Sequence, residues 1–221
     1  MAPIKFYHHP MSPPSRIVLL TIRNLNLHAN IEVVDLMNKA QLNPEFLKMN
    51  PQHTVPTIED NGFVLWESRA IATYLVSAKA PGSSLYPSDV KKKAIVDARL
   101  YLEQALQISH STIAYPIFLG EATTIPDDKK QKVYQILGNL NSFLEGQKYA
   151  AGDELTIADL ALLATITSIY ELGANVSKFK NIYAWYKRME SVPGHQENYE
   201  GAKALGNFLR SKADISSNWD D

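Results

Sequence analysis

Strand patterns stop near residue 80 of this 221-residue chain, and every later segment reads as helix. That switch constrains the fold more than any single motif. Before it, short apolar strands alternate with helices. Ile4–Tyr7 predicts a first strand, followed by an amphipathic helix with Ile17, Leu20, Thr21 and Asn24 at helical spacing. Glu32–Asp35 predicts a second strand, and Asn43 with Pro44 caps and opens a short helix. Thr57–Glu59 and Phe63–Leu65 flank Asp60-Asn-Gly62, a strong hairpin signal. Glu67 to Ser77 reads as a polar-capped helix, giving the order βαβαββα. Ala80-Pro-Gly-Ser-Ser84 and Tyr86-Pro-Ser88 are turn-rich and polar, so residues 81–88 read as a linker. Helical stretches are expected at about 89–111, 127–145, 157–170, 182–191 and 196–209, with a loose polar tail from Asp214 to Asp221. The expectation is an α/β domain over residues 1–80 and an all-α domain over 89–221.

Composition narrows the chemistry. With 22 basic and 23 acidic residues the net charge is −1, which draws neither nucleic acid nor an acidic membrane surface. No apolar run nears the ~18 residues of a membrane span. The N-terminus has no basic, apolar, small-residue leader pattern, so a cytoplasmic protein is expected. There is no cysteine, which excludes disulfides, thiolate metal sites and a cysteine nucleophile. Any sulfur chemistry must arrive with a ligand. His8 and His9 are adjacent on a strand, point to opposite faces and have no spaced third ligand, so no metal site is expected.

The richest stretch follows the first strand. Pro13 and Pro14 suit the first turn of a helix, which puts Ser12 at or just before its N-terminus. Such an end carries free backbone N–H groups and a positive partial charge, and stabilises an anion, a thiolate included. Ser12 is equally a preferred N-cap, and its residue type does not separate the two roles. Thr156-Ile-Ala-Asp159 has capping-box spacing, which makes Asp159 structural. Val55-Pro56 lies between a polar turn and a strand. About 5% of X–Pro bonds are cis, so sequence does not by itself favour that isomer.

In this order the segments resemble the cytosolic glutathione S-transferases, and the insect delta and epsilon classes in particular. The resemblance rests on Ser12-Pro-Pro-Ser-Arg16, Asn50-Pro-Gln-His-Thr-Val-Pro56, Asp60-Asn-Gly62, Trp66-Glu-Ser-Arg-Ala-Ile71, Ser84-Leu-Tyr-Pro87 and Tyr149-Ala-Ala-Gly-Asp-Glu-Leu-Thr-Ile-Ala-Asp-Leu160. It covers almost the whole chain. It implies a thioredoxin-like glutathione-binding domain joined to an all-helical one that contributes the pocket for an electrophile. The implied reaction conjugates reduced glutathione, a co-substrate rather than a cofactor, to small hydrophobic electrophiles in detoxification. The alternatives are a non-catalytic binder of glutathione or hydrophobic ligands, or a glutathione-dependent isomerase or peroxidase. A homodimer is implied as well.

The resemblance assigns Ser12 to activating the glutathione sulfur. His53 would hold the glycyl end, and Val55, beside Pro56, the cysteinyl backbone. Glu67 and Ser68 would bind the γ-glutamyl end, with Arg69 in the same polar network. Gln41 stands where relatives often carry a second contacting His. Glu103 stands where an acid, more often Asp, faces the partner's glutathione. Ser109, Ile113, Tyr115, Phe118 and Phe208 are the expected lining of the electrophile pocket. Tyr7 aligns poorly with the tyrosine other classes use, and its expected role is packing on the sheet; Ser15 reads as a first-turn residue.

The energetics are consistent with a single hydroxyl. A free thiol of pKa ~8.5 is only a few per cent thiolate at pH 7. Lowering that pKa by ~2 units takes about 2.7 kcal/mol. A hydroxyl donating to a charged acceptor gives roughly 1.5–3 kcal/mol, and a helix N-terminus adds roughly 0.3–1.

Overall fold

Alternation in Ile-Lys-Phe-Tyr-His places Ile4, Phe6 and His8 on one face of the first strand, and that face is buried. The structure is a computed structural model that describes residues 3–215 and 219. Its first half contains β1 (Ile4–His8), α1 (Pro13–Asn24), β2 (Ala29–Val33), α2 (Pro44–Met49), β3 (Thr57–Asp60), β4 (Phe63–Trp66) and α3 (Ser68–Lys79). The strands form one sheet in the order β2-β1-β3-β4. β1 runs parallel to β2 and antiparallel to β3, and β3 and β4 form the hairpin. This is a thioredoxin-like domain.

The second strand lies upstream of its expected place. Parallel pairing sets Ile4 against Ala29 and His8 against Val33, so five residues of β1 select 29–33. Leu27, Ala29 and Ile31 then pack on the sheet core. Asp35 is left to a turn, where its carboxylate accepts the backbone N–H groups of Met37 and Asn38, each at 3.1 Å.

The helical half contains α4 (Val90–Leu119), α5 (Asp127–Phe143), α6 (Ile157–Glu171), α7 (Lys180–Met189) and α8 (His195–Arg210). α4 does not end near Ser111. It continues through Pro116 and stops at Gly120, whose positive φ and N–H bond to the Ile117 carbonyl close the helix. A proline in the last turn costs one backbone hydrogen bond, and packing of Ile113, Ala114 and Ile117 outweighs it. α6 is apolar all round and buried from Ile157 to Ile169, as expected of a central helix. Its capping box is present, and Asp159 does more than cap. Besides the Thr156 N–H and hydroxyl, it accepts from the Ala150 N–H at 2.7 Å and the Trp185 indole at 2.9 Å.

α1 is buried on both sides. Val18, Leu19 and Ile22 face the sheet core, whereas Ile17 and Leu20 join the helical core with Ala72 and Val76 of α3. The linker is fastened too: the Leu85 side chain is buried and its carbonyl accepts the Ile157 N–H at 2.9 Å. The tail corrects another expectation. Ile215 and Trp219 are buried, and the Trp219 indole donates to the Leu172 carbonyl at 3.0 Å beside the Tyr134 ring. A tail with two large apolar residues has surface to bury, whatever the polarity of its neighbours. The rest of that segment, 216–218 and 220–221, lies outside the described residues.

Candidate active site

Sheet topology brings distant segments to one edge. Tyr7 pairs with Thr57, Thr57 with Trp66, and His8 with Val33. The C-terminal ends of β1, β2 and β4 and the start of β3 therefore lie side by side. The chain leaves that edge into Ser12, into the turn holding Gln41 and into Glu67-Ser68, and enters it from His53-Thr-Val-Pro56. Seven of the expected residues thus share one rim, although up to 56 positions separate Ser12 from Ser68 in the sequence.

Ser12 is the N-cap of α1, and its Oγ accepts the Ser15 N–H at 3.3 Å. Among the described residues its O–H proton goes to no acceptor. The helix end differs from expectation in one respect. Pro13 and Pro14 have no N–H, the Ser15 N–H is taken by Ser12, and the Arg16 N–H bonds the Ser12 carbonyl at 3.1 Å. No backbone donor of that first turn is left free for an anion. The hydroxyl proton is what the cap offers.

Val55-Pro56 is cis. Among the described residues the Val55 backbone N–H and C=O pair with no other group, at a bend two residues before β3. His53 is exposed, with its backbone held at φ 45° and its N–H bonded to Asn50. Glu67 is exposed at φ 70°, a conformation that turns the chain from β4 directly into α3. Ser68, the first residue of α3, is buried and its Oγ has no partner. The Gln41 Oε1 is likewise buried without a partner. Unpaired buried polar atoms are costly, and several on one rim mark a place where a polar ligand completes the bonding.

Glu103 departs from what the resemblance implies, and Arg69 is its partner. Glu103 is 0% exposed; its Oε2 accepts Arg69 Nε at 2.7 Å and its Oε1 accepts the Thr165 hydroxyl at 2.5 Å. It ties α3 to α4 and α6 from inside and has no surface to present to a partner or to glutathione. Arg69 is accordingly half-occupied by structure, although it also lines an open groove of about 380 Å³ with Glu67 and Tyr101.

The expected electrophile residues do not form one lining. Ile113 is 2% exposed and belongs to the helical core. Phe118 and Phe208 meet at 4.9 Å between centroids and join α4 to α8 against that core. The Ser109 Oγ bonds back to the Ala105 carbonyl at 2.9 Å. Tyr115 is 63% exposed. A groove of about 960 Å³ lies elsewhere, between the end of α6, α7 and the first turns of α8. Tyr7 packs edge-on against Phe46, as expected of a sheet residue. Sequence reasoning missed Asn50, which is fully buried and binds Thr54 and Thr57, fixing the approach to Pro56. A buried Asn inside a polar turn carries no periodic signal.

Comparisons with known proteins identify the family. The family model "Glutathione S-transferase, N-terminal domain" matches residues 2–77, and "Glutathione S-transferase, C-terminal domain" matches 104–193. The chain is 39% identical over 212 residues to glutathione S-transferase D7 of Drosophila melanogaster, covering 95% of each. It is 42% identical to a delta-class glutathione transferase of Nilaparvata lugens, covering 96% of this chain and 100% of that one, at a TM-score of 0.91. It is 36% identical to a glutathione transferase homologue from Drosophila mojavensis solved with bound glutathione, covering 96% and 99%, at a TM-score of 0.89.

Proposed function

Since the chain belongs to the glutathione S-transferase family and its relatives are insect delta and epsilon transferases, we propose that it conjugates reduced glutathione to small hydrophobic electrophiles, with the Ser12 hydroxyl stabilising the thiolate. The observation that carries the serine assignment is the uncommitted O–H of Ser12 at the rim where the β1, β2 and β4 ends meet. In this reading the tripeptide lies along the rim. Its cysteinyl backbone pairs with the free Val55 N–H and C=O, as one more strand on a sheet edge would. Its γ-glutamyl carboxylate meets the unpartnered Ser68 Oγ at the N-terminus of α3, with Glu67 taking the amino group. His53 and Gln41 meet the glycyl end. The sulfur then comes to Ser12, which donates its proton as a hydrogen bond and keeps it. No general base is required, because the thiol proton leaves to solvent once the anion is the favoured form.

Glutathione enters as co-substrate, and no further cofactor belongs to this reading. A homodimer is part of the same reading, and Tyr101, 73% exposed on α4, and Phe63, 48% exposed on β4, are apolar surface that a partner would cover. Among the described residues no helix is long and apolar enough to cross a membrane, and a cytoplasmic setting is part of the same reading.

The test is an absorbance titration of the bound glutathione thiolate in wild type and Ser12→Ala. The expected outcome is a bound-thiol pKa well below the free value of ~8.5 in wild type. In Ser12→Ala it rises by about 1–2 units with glutathione still bound, the equivalent of the roughly 1.5–3 kcal/mol of one charge-assisted bond. An unshifted thiol in the wild-type complex, or a lowered one in Ser12→Ala, overturns the assignment.

A further inference from the structure

Among the described residues, one charge in the interior has no acidic counterpart. Arg16 is fully buried, one helical turn beyond Ser12. Its guanidinium donates to the Asn198 carbonyl at 2.8 Å, to the Ala164 carbonyl at 3.5 Å and to the Ser168 hydroxyl, all neutral acceptors. Its Nε has no partner. Its bonding partners lie on α6 and α8, and the titratable groups that sense it include His110 on α4 and Tyr186 on α7. α3, which has no carboxylate, also packs on α1. The carboxylates of the other helices are engaged elsewhere. Neither α1 nor α7 contains one. On α4, Asp97 holds Tyr86 and Glu103 holds Arg69. On α6, Asp159 caps the helix and Glu171 meets Arg210. On α8, Glu197 pairs with Arg23 and Glu200 with Gln196.

The titratable groups that sense Arg16 cannot neutralise it either. They are Tyr186, His110 and His8. Neither ring nitrogen of His110 has a hydrogen-bond partner, and His8 lacks one at Nδ1. Burial first, and then the Arg16 charge, lowers His110 to about 4. His8 falls to about 4 through burial, with His9 and Arg16 adding to it. The field of Arg16 therefore reaches the last residue of β1, at the rim. Burial lowers the Arg16 pKa to about 9, and a delocalised guanidinium stays protonated at neutral pH. The side chain also lies under the loop that carries Ser12. A Cβ on Gly201 would meet both the Pro10 carbonyl oxygen, at 2.3 Å, and the Arg16 Cδ, at 2.8 Å, which places Arg16 and that loop together against α8.

We infer that the buried Arg16 guanidinium is the fixed counter-charge of the glutathione thiolate, acting through its field without touching the substrate. The inference rests on the reading of Ser12 as the thiolate's partner and deepens it. Because prolines strip the first turn of α1 of its donors, the usual positive end of that helix is weak, and a charge beneath the loop replaces it. A leftover unit charge in the interior costs solvation that an anion at the rim partly restores. Two unit charges roughly 10 Å apart at an effective dielectric near 20 shift a pKa by about one unit.

The test neutralises the charge without deleting it. Ser168→Asp puts a carboxylate where Arg16 already donates. In the folded variant the bound-thiol pKa is expected to rise by about one unit. Glutathione affinity measured below that pKa, where the thiol is neutral, stays within about twofold. Arg16→Met is expected to give the same rise, and Arg16→Lys to stay within a few tenths of wild type. In wild type the bound-thiol pKa should move little between low salt and about 1 M, since Arg16 is fully buried and its field runs through protein, where salt screens poorly. That measurement stands even if a variant does not fold. A folded Ser168→Asp or Arg16→Met with an unchanged thiol pKa overturns the inference and leaves the Ser12 assignment intact. So does a strongly salt-dependent thiol in wild type. An unshifted thiol in wild type overturns both.

Discussion

The same substitution should have opposite effects at two helical glycines. Gly138 in α5 has nothing within 4 Å of an added Cβ, whereas Gly201 in α8 has the Pro10 carbonyl oxygen at 2.3 Å and the Arg16 Cδ at 2.8 Å. Ala is favoured over Gly in a helix by about 0.8–1 kcal/mol. Gly138→Ala should realise that gain in full. At Gly201 the new methyl is about 1 Å too close to a backbone oxygen, which cannot rotate away as a flexible side chain does. Overpacking of a tight core costs typically 1–3 kcal/mol, and a clash with backbone falls at about 2–3, so Gly201→Ala should come out destabilised by about 1–2 kcal/mol net. The displaced group is the loop between β1 and Ser12, so the strain reaches the active site. Urea unfolding monitored by circular dichroism, at unchanged m, measures both stabilities. Conjugation rate and bound-thiol pKa measure the site. Gly201→Ala should be less stable with a raised thiol pKa, and Gly138→Ala more stable with an unaltered one. A stabilised and fully active Gly201→Ala would refute the placement of α8 against that loop.

Two further outcomes follow from buried polar groups. His8 and His110 titrate near 4 when folded and near 6.5 when unfolded, so the unfolded chain binds the extra protons between those values. Stability should fall as pH drops from about 6.5 to about 4 and then stop responding to these groups. His110 supplies up to about 3 kcal/mol of that loss, and His110→Leu should flatten thermal stability within that window only. Asp159→Ala removes an acceptor serving the Ala150 and Thr156 N–H groups, the Thr156 hydroxyl and the Trp185 indole, all buried. It should cost about 3–5 kcal/mol in chemical denaturation, and retention of near-native stability would contradict a structural role for this acid.

What sequence by itself determined was local. The Asn-Gly hairpin, Pro13 and Pro14 opening α1 after Ser12, the capping box at Thr156 and Asp159 and the change from alternation to helix at residue 80 each depend on a few consecutive residues, whose backbone preferences decide the outcome. The residues that the resemblance singles out around Ser12, His53 and Ser68 were legible for the same reason: they sit in short motifs at element ends. Tertiary structure decided what depends on partners far along the chain. Pairing with β1 chose 29–33 as the second strand, and core packing carried α4 through Pro116. Thr165 and Arg69, 62 and 34 residues away, enclosed Glu103. Distant partners buried Ile215 and Trp219, in a segment whose composition reads as loose. The unopposed charge of Arg16 belongs to this second kind. No local pattern distinguishes an arginine that meets only carbonyls from one that meets an acid, because the low-dielectric surroundings that give its charge reach are built from four other helices.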